Sequence, residues 1–186
     1  MATTSDIRNG MCINFNNDIW SIVSFQHVKP GKGAAFVRTK LKSLTKGKVV
    51  DHTFSAGHKV DEVRVERRHF QYLYKDDMGF HFMNMEDYNQ IQLPPHLVEH
   101  PEFLKEEMMV EVLFHAEKDI PLNMDLPLTV EYKITYTEPG VKGDTATNTF
   151  KPATIETGAE VRVPLFINEG EIIKINPATG EYQGRA

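Results

Sequence analysis

The sequence of 186 residues has a single cysteine, no long hydrophobic run and almost no segment suited to a helix. With Cys12 as the only cysteine, an intrachain disulfide is excluded and a reducing compartment is favoured. No apolar stretch approaches the roughly 18 residues that cross a bilayer. The opening residues "MATTSDIRNG" lack the basic and apolar regions of a signal peptide. We therefore expect a cytoplasmic protein without a membrane partner.

Acidic residues are absent from one stretch of the chain. Between Asp18 and Asp51 there are seven Lys or Arg residues and no Asp or Glu. Residues 1–64 carry ten basic and five acidic residues, a net charge of +5. Residues 65–128 carry five basic and thirteen acidic residues (−8), and residues 129–186 carry six basic and eight acidic residues (−2). The positive field of the first third suits phosphates, and the middle third repels them. A solvated charged face is the alternative explanation.

Strand signals recur at short spacing along the whole chain. Segments such as "IWSIVSFQHV", "HFQYLY" and "AEVRVPLFI" are separated by turn signals such as "PGKG", "KDDMG" and "NPATG". Only "PPHLVEHPEFLKEE" is suited to a helix, and its prolines keep that helix short. The pattern predicts an all-β protein of three small β-barrels, over residues 1–64, 65–128 and 129–186.

A lysine between two glycines marks one turn as unusual. In "HVKPGKGAAFVRTKL", Pro30 restricts its own φ, while Gly31 and Gly33 can adopt positive φ without strain. Strand-like sequence on both sides predicts a hairpin with a slim tip, from which the Lys32 side chain points away from the body. The alternative is an ordinary solvated lysine in a turn.

Alternating aromatic residues suggest how the middle of the chain is packed. Phe70, Tyr72 and Tyr74 recur at every second position, as do Phe80 and Phe82 in the next strand signal. Their parity predicts that each set shares one face of its strand. Such a face can stack single-stranded bases, as in OB-folds, but the acidic surroundings favour a role in the core.

Motifs for catalysis and metal binding are weak. "GKG" lacks the upstream glycine and following helix of a phosphate-binding Walker loop. "HLVEH", from His96 to His100, matches an inverted zinc-protease pattern, but Pro94, Pro95 and Pro101 leave no stable helix to hold a metal. We therefore expect no enzyme activity, no metal site and no cofactor.

Several longer motifs, in order, resemble those of the bacterial elongation factor P family. "PGKGAAFVRTKLKSL" resembles its first-domain loop, "HFQYLYKDDMGFHFMNMEDYNQI" its second-domain entry and "LPLTVEYKITYTEPGVKGDTATN" its third-domain start. "KPATIETGAEVRVPLFINEGEIIKINPATGEYQGR" is similar to the family's C-terminal signature. The resemblance extends over the whole chain.

This resemblance implies an SH3-like, KOW-type first barrel and two OB-fold barrels in an elongated, tRNA-like arrangement. It implies a monomer that binds both ribosomal subunits, contacting ribosomal RNA and the peptidyl-tRNA in the P site. Members of the family relieve stalling where consecutive prolines are joined. No catalytic residue is implied.

The resemblance also assigns residues. Lys32 corresponds to the tip lysine that contacts the tRNA CCA end and is extended by a modifying enzyme in many members, on a loop shaped by Pro30, Gly31 and Gly33. Lysine at the tip argues against rhamnosylation, and Ala34 stands where lysylated members often have glutamine, so the modification is left open. Gly143, Asp144 and Thr145 match a loop near the small subunit and exit-site codon, and Tyr182 and Arg185 match a pair in ribosomal contact. The run of basic residues between Asp18 and Asp51, rather than the resemblance, adds four RNA-contact candidates: Lys29, Arg38, Lys40 and Lys42.

Two other functions are compatible with the sequence. The first is an OB-type protein that binds free single-stranded nucleic acid through Phe70, Tyr72 or Tyr74. The second is an elongation-factor-P-like paralogue that shares the architecture. An enzyme built on scattered histidines and carboxylates is a more distant third.

Overall fold

The computed structural model describes residues 2–140 and 149–186. Nearly all of the regular secondary structure in the described part is β-strand, which confirms the predicted all-β class. The segment from which a short helix was predicted contains only two 3-10 helices, Pro95–Leu97 and Pro101–Phe103. No membrane-spanning helix occurs among the described residues.

By packing, the chain divides into two compact units. One contains Met1–Arg68, Pro95–Leu97 and Val112–Asn123, and the other contains His69–Pro94, Val98–Glu111 and Met124–Ala186. The three-domain division at residues 64 and 128 stays a prediction.

The first sheet has six strands in the order β1-β6-β2-β3-β4-β5. Its longest strand, β3, is rich in β-branched and aromatic residues, which favour a pleated, half-buried surface. Trp20, Ile22, Val37, Leu41 and Phe54 form the centre of its hydrophobic core. The strands are β1 (Ala2–Thr3), β2 (Cys12–Phe15), β3 (Asp18–Val28), β4 (Phe36–Ser43), β5 (Val49–Ser55) and β6 (Lys59–Val63).

A β-bulge keeps the apolar residues of β3 on the inner side of this sheet. The register between β3 and β4 shifts between Ile22 and Ser24, which leaves Val23 exposed. Because one extra residue reverses the alternation, Phe25 then packs against the same core as Ile22. Beyond the bulge, Ser24 and Gln26 therefore lie on the outer side.

The second sheet has five strands in the order β11-β10-β7-β8-β9. Phe70 and Tyr72 of β7 are buried, as are Phe80 and Phe82 of β8, in agreement with a core role. The strands are β7 (Val65–Asp76), β8 (Gly79–Asn84), β9 (Gln90–Leu93), β10 (Met109–His115) and β11 (Ile120–Asp125).

The prediction that Tyr74 shares the face of Phe70 and Tyr72 is wrong. A β-bulge between Tyr72 and Tyr74 shifts the register so that Tyr74 pairs with His81. The Tyr74 ring is 49% exposed and stacks on the His81 imidazole at 4.5 Å between ring centres. The extra residue has turned Tyr74 from the core to the outer face.

The third sheet is a closed barrel with the order β12-β13-β14-β16-β15. Tyr132 is buried in it, and its hydroxyl donates a 2.6 Å hydrogen bond to the carbonyl oxygen of Phe103. Burial of that hydroxyl raises the pKa of Tyr132 well above its usual range, which keeps it a donor. The strands are β12 (Val130–Thr137), β13 (Phe150–Ile155), β14 (Glu160–Pro164), β15 (Ile172–Asn176) and β16 (Glu181–Arg185).

Asp18 ties the start of β3 to the end of β4 and to the turn that follows it. Its carboxylate accepts hydrogen bonds from the hydroxyls of Ser43, at 2.8 Å, and Thr45, at 2.6 Å. Its side chain is only 7% exposed, and the Lys46 ammonium lies 3.7 Å away. Burial raises the pKa of Asp18, but these hydrogen bonds, the Ile19 amide and the Lys46 charge outweigh it, so that the pKa lies below its ordinary value.

Asp18→Asn should destabilise the first sheet in a pH-dependent way. Because the pKa of Asp18 is lower in the folded chain, its carboxylate stabilises the fold above the unfolded-state pKa of about 3.9, and that contribution is lost as the pH falls through the folded-state pKa. We expect a loss of about 1–2 kcal/mol in the free energy of unfolding near neutral pH and a smaller loss in acid.

The measurement is urea unfolding followed by the fluorescence of Trp20, the only tryptophan. Asp51→Asn, at an exposed position in β5, is the matched control and should change the free energy of unfolding by less than about 0.5 kcal/mol. An equal loss for Asp18→Asn at both pH values would show that its charge is not what stabilises the turn.

Candidate functional site

A narrow tip joins β3 to β4. Lys32 is exposed and stands between Gly31 and Gly33. Gly33 has φ +114°, in the region that favours glycine, so this position suits no other residue without strain. The site where Gly31 would carry a Cβ has nothing within 4 Å, which leaves that side of the tip open.

The Lys32 side chain extends into solvent. Over the described ranges, no hydrogen bond and no ion pair involves its ammonium. Its charge is therefore not neutralised by the surface of the first sheet. A cation in this position is available to a partner with negative charge.

Three of the RNA-contact candidates share one side of the first sheet. Arg38, Lys40 and Lys42 alternate along β4, so their side chains leave the sheet on the same face. We call the surface formed by these three residues the basic face. Their partners across β3 carry no charge; they are Gln26, Ser24 and Ser21.

Within residues 2–140 and 149–186, Arg38 and Lys40 of the basic face form no ion pair. Asp51 pairs with Lys40 across the β4–β5 ladder, but no ion pair joins the two. The Arg38 guanidinium lies 5.4 Å from the centre of the Phe36 ring, which orients it without cancelling its charge. Lys29, the fourth candidate, is exposed on the tip segment. The tip and the basic face together can attract and hold a polyanion.

Both residues of the predicted C-terminal pair, Tyr182 and Arg185, lie in β16. Arg185 is exposed, yet its Nε lies 3.0 Å from Glu171, and its guanidinium lies 5.0 Å from the centre of the Phe166 ring. Tyr182 is half-buried in a groove that Phe150 and Arg162 also line. Arg185 is therefore positioned by its own barrel, a constraint that sequence analysis did not find.

The charge on Glu171 is maintained by its neighbours. Desolvation raises the pKa of Glu171, but hydrogen bonds from Asn168 and the positive charge of Arg185 outweigh it and hold the pKa below its ordinary value. The ion pair with Arg185 therefore persists well below neutral pH. Glu171 holds the Nε side of the Arg185 guanidinium, and the rest of this exposed group is available to a partner.

The other predicted positions that the structure describes are not brought together into a second site. Gly143, Asp144 and Thr145 lie outside the described residues. His96 lies in the first 3-10 helix and His100 precedes the second with φ 52°, so no helix places both on one face. Across residues 2–140 and 149–186, no group of three or more His, Cys, Asp or Glu residues is arranged to hold a metal ion.

Comparison with known protein families first gives the class of protein. Residues 3–60 match the model for the elongation factor P KOW-like domain, residues 65–122 match its OB domain, and residues 130–185 match its C-terminal domain. The chain is thus an all-β protein of the KOW and OB type.

The relatives give the family. An elongation factor P of Flavobacterium johnsoniae is 60% identical over 185 residues, which cover 100% of this chain and 98% of the relative. That of Christiangramia forsetii is 59% identical with the same coverage, and "Elongation factor P 1" of Porphyromonas gingivalis is 56% identical. The chain belongs to the elongation factor P family and is a translation elongation factor.

The solved structures support the fold. A eukaryotic translation initiation factor 5A from Methanococcus jannaschii aligns with a TM-score of 0.51 at 19% identity, covering 68% of this chain and 90% of that one. A translation initiation factor eIF-5A family protein from Naegleria fowleri aligns with the same TM-score at 18% identity. At this level of identity the likeness concerns the fold alone.

Removing two charges from the basic face should weaken the salt dependence of RNA binding. For Arg38→Ala combined with Lys40→Ala, we expect the slope of log affinity for tRNA against log salt concentration to fall by about 1.5, since each phosphate contact contributes roughly 0.7 to 0.9. Filter binding over a series of salt concentrations measures the slope.

Lys118→Ala combined with Lys133→Ala removes the same charge from exposed positions outside the basic face and serves as the control. Equal slopes for the two double variants would mean that the basic face attracts RNA only through the net charge of the chain.

Proposed function

We propose that this translation elongation factor binds the ribosome beside the peptidyl-tRNA in the P site and promotes peptide-bond formation at consecutive prolines. In this proposal Lys32 reaches the CCA end of that tRNA. The observation that carries it is the position of Lys32, an exposed cation without a partner among the described residues, on a tip flanked by glycines.

The shape of the tip suits a confined, RNA-lined space. The reactive end of a peptidyl-tRNA lies in a narrow crevice of the ribosome, where a bulky loop would be excluded. Gly31 and Gly33 add no side chain beside Lys32, so its ammonium can lie along the phosphates or the CCA backbone. The basic face then supplies further contacts to RNA, which raise affinity without reading its sequence.

The proposed contribution to the reaction is orientation. Proline is a poor donor and acceptor in peptide-bond formation because its ring restricts the approach of the reacting groups. A factor that holds the tRNA end in place reduces the freedom that must be lost before reaction. A reduction of about 2 kcal/mol in the barrier corresponds to roughly thirtyfold in rate. No bond-making residue on the factor is needed, so we propose that it is not an enzyme.

The remaining predicted contacts complete the proposal. We assign Tyr182 and Arg185 to ribosomal contact, and the loop with Gly143, Asp144 and Thr145 to the small subunit near the exit-site codon. The exposed amine of Lys32 is also accessible to a lysine-modifying enzyme, which would lengthen its reach. Intact-mass measurement of the protein from its native host tests that modification.

Binding of free single strands through the aromatic set of the middle sheet is less well supported. Phe70, Tyr72, Phe80 and Phe82 are all buried, so their rings are not available for stacking. Tyr74 is exposed, but its ring stacks on His81. One exposed tyrosine is not the row of stacking positions that sequence-tolerant OB-fold binding uses.

Lys32→Ala should slow translation through three consecutive prolines and leave folding intact. We expect synthesis of a Pro-Pro-Pro reporter to slow by up to about thirtyfold, because the barrier reduction supplied by the tip is lost. A message without proline runs should be translated at the normal rate. The measurement is a reconstituted translation assay on both messages.

Lys48→Ala is the matched control. Lys48 is an exposed lysine in the turn between β4 and β5, within the same KOW-like domain as Lys32. The Trp20 unfolding curve should be the same for both variants and for the unchanged chain. Equal Pro-Pro-Pro synthesis by Lys32→Ala and the unchanged factor would overturn the role of the tip.

A further inference from the structure

A groove lined by aromatic rings lies on the inner side of the first sheet. Its volume is about 460 Å³, within the range of roughly 300 to 1,000 Å³ typical of small-molecule sites. His52 and Phe54 of β5 pair with Thr39 and Val37 of β4. Because directly paired residues share a face, these two rings lie on the side opposite the basic face.

Four rings of the groove contact one another in series. The Phe15 ring lies 4.5 Å from the His52 ring, and His52 lies 4.4 Å from Phe54. The His58 ring stacks on Phe54 at 5.6 Å with 28° between the planes. Phe54 is 5% exposed, whereas His52 and Phe15 are half-buried and His58 is exposed. The outer rings therefore keep aromatic surface open to the groove.

Polar groups line the rim of the groove. The Asn14 amide donates a 2.8 Å hydrogen bond to one carboxylate oxygen of Asp61, and both residues are exposed. The amide oxygen of Asn14 and the second oxygen of Asp61 remain as acceptors for hydrogen-bond donors of a ligand. Lys59, also exposed, adds a positive charge at the same rim.

We propose that this groove binds a single nucleotide through its base. A planar base stacks on imidazole and phenyl rings, and proteins that recognise unstacked RNA bases use such rings, including histidine. The acceptors of Asn14 and Asp61 suit amino and imino groups at the edge of a base. Lys59 suits the attached phosphate, and the net charge of +5 over residues 1–64 favours an anionic ligand over an acidic or neutral peptide.

This inference rests on the proposed function only in taking RNA as the partner. It assigns the two sides of the first sheet to different parts of a nucleotide chain, with phosphates on the basic face and one splayed base in the groove. Binding of a free mononucleotide is its minimal form and requires no ribosome.

Trp20 provides a built-in reporter for the test. Its indole nitrogen donates a 2.8 Å hydrogen bond to the carbonyl oxygen of Phe15, and the two rings lie 6.2 Å apart. A base stacked at Phe15 and His52 changes the surroundings of the indole. Since Trp20 is the only tryptophan, its fluorescence reports this region alone.

The experiment titrates the full chain with adenosine 5′-monophosphate, excited where the base does not absorb. We expect a saturable change in Trp20 fluorescence that ribose 5-phosphate, which lacks the base, does not produce. His58→Ala and His52→Ala should each weaken the affinity by about tenfold, through loss of a stacking partner. Lys59→Ala should weaken binding of the nucleotide but not of adenosine.

His96→Ala, at an exposed histidine outside the groove, is the matched control and should leave the affinity unchanged. The inference is overturned if ribose 5-phosphate gives the same response, if neither histidine variant changes the affinity, or if only an apolar peptide produces a saturable signal. Lys32→Ala should retain the nucleotide response, so failure of the groove and failure of the tip are distinguishable.

Discussion

Along its length, β4 is paired with β3 on one side and β5 on the other, and this double pairing fixes which side chains face in and which face out. Val37, Thr39 and Leu41 are directed inward and are buried. Arg38 and Lys40, between them, must then face solvent. A slip of one residue in either ladder would exchange the two sets and bury the cations, so burial of the apolar set enforces the basic face.

The same hairpin is held firmly at one end and left open at the other. Asp18 joins the beginning of β3 to the end of β4 and to the turn after it, through one side-chain hydrogen bond each. At the tip, Lys32 makes no such contact within the described residues. Because the hairpin is anchored at the end away from the tip, the tip residue can be replaced without a cost in stability. Function and folding can therefore be separated by substitution.

The tip and the all-β class could be predicted from sequence because they depend on local chemistry. Features that depend on the register between distant strands could not. Pro30 and Gly33 act through their own φ preferences, which the sequence shows directly. Tyr74 faces outward because of a β-bulge, and no residue type in the segment predicts that bulge. Likewise, the groove lined by aromatic rings contains Phe15 together with residues of β5 and of the β5–β6 connection. Only the pairing of distant strands brings these residues together.

Two faces of different chemistry suit a factor that acts by orientation. A phosphate contact attracts RNA and limits its distance, but it tolerates rotation and sliding along the strand. A base held by stacking and by edge hydrogen bonds fixes register, because only one arrangement satisfies both. In the proposed mechanism the tip can lower the barrier only if the tRNA end is held in a narrow range of positions. A sheet that offers cations on one side and a base-sized groove on the other supplies both kinds of restraint from one rigid element.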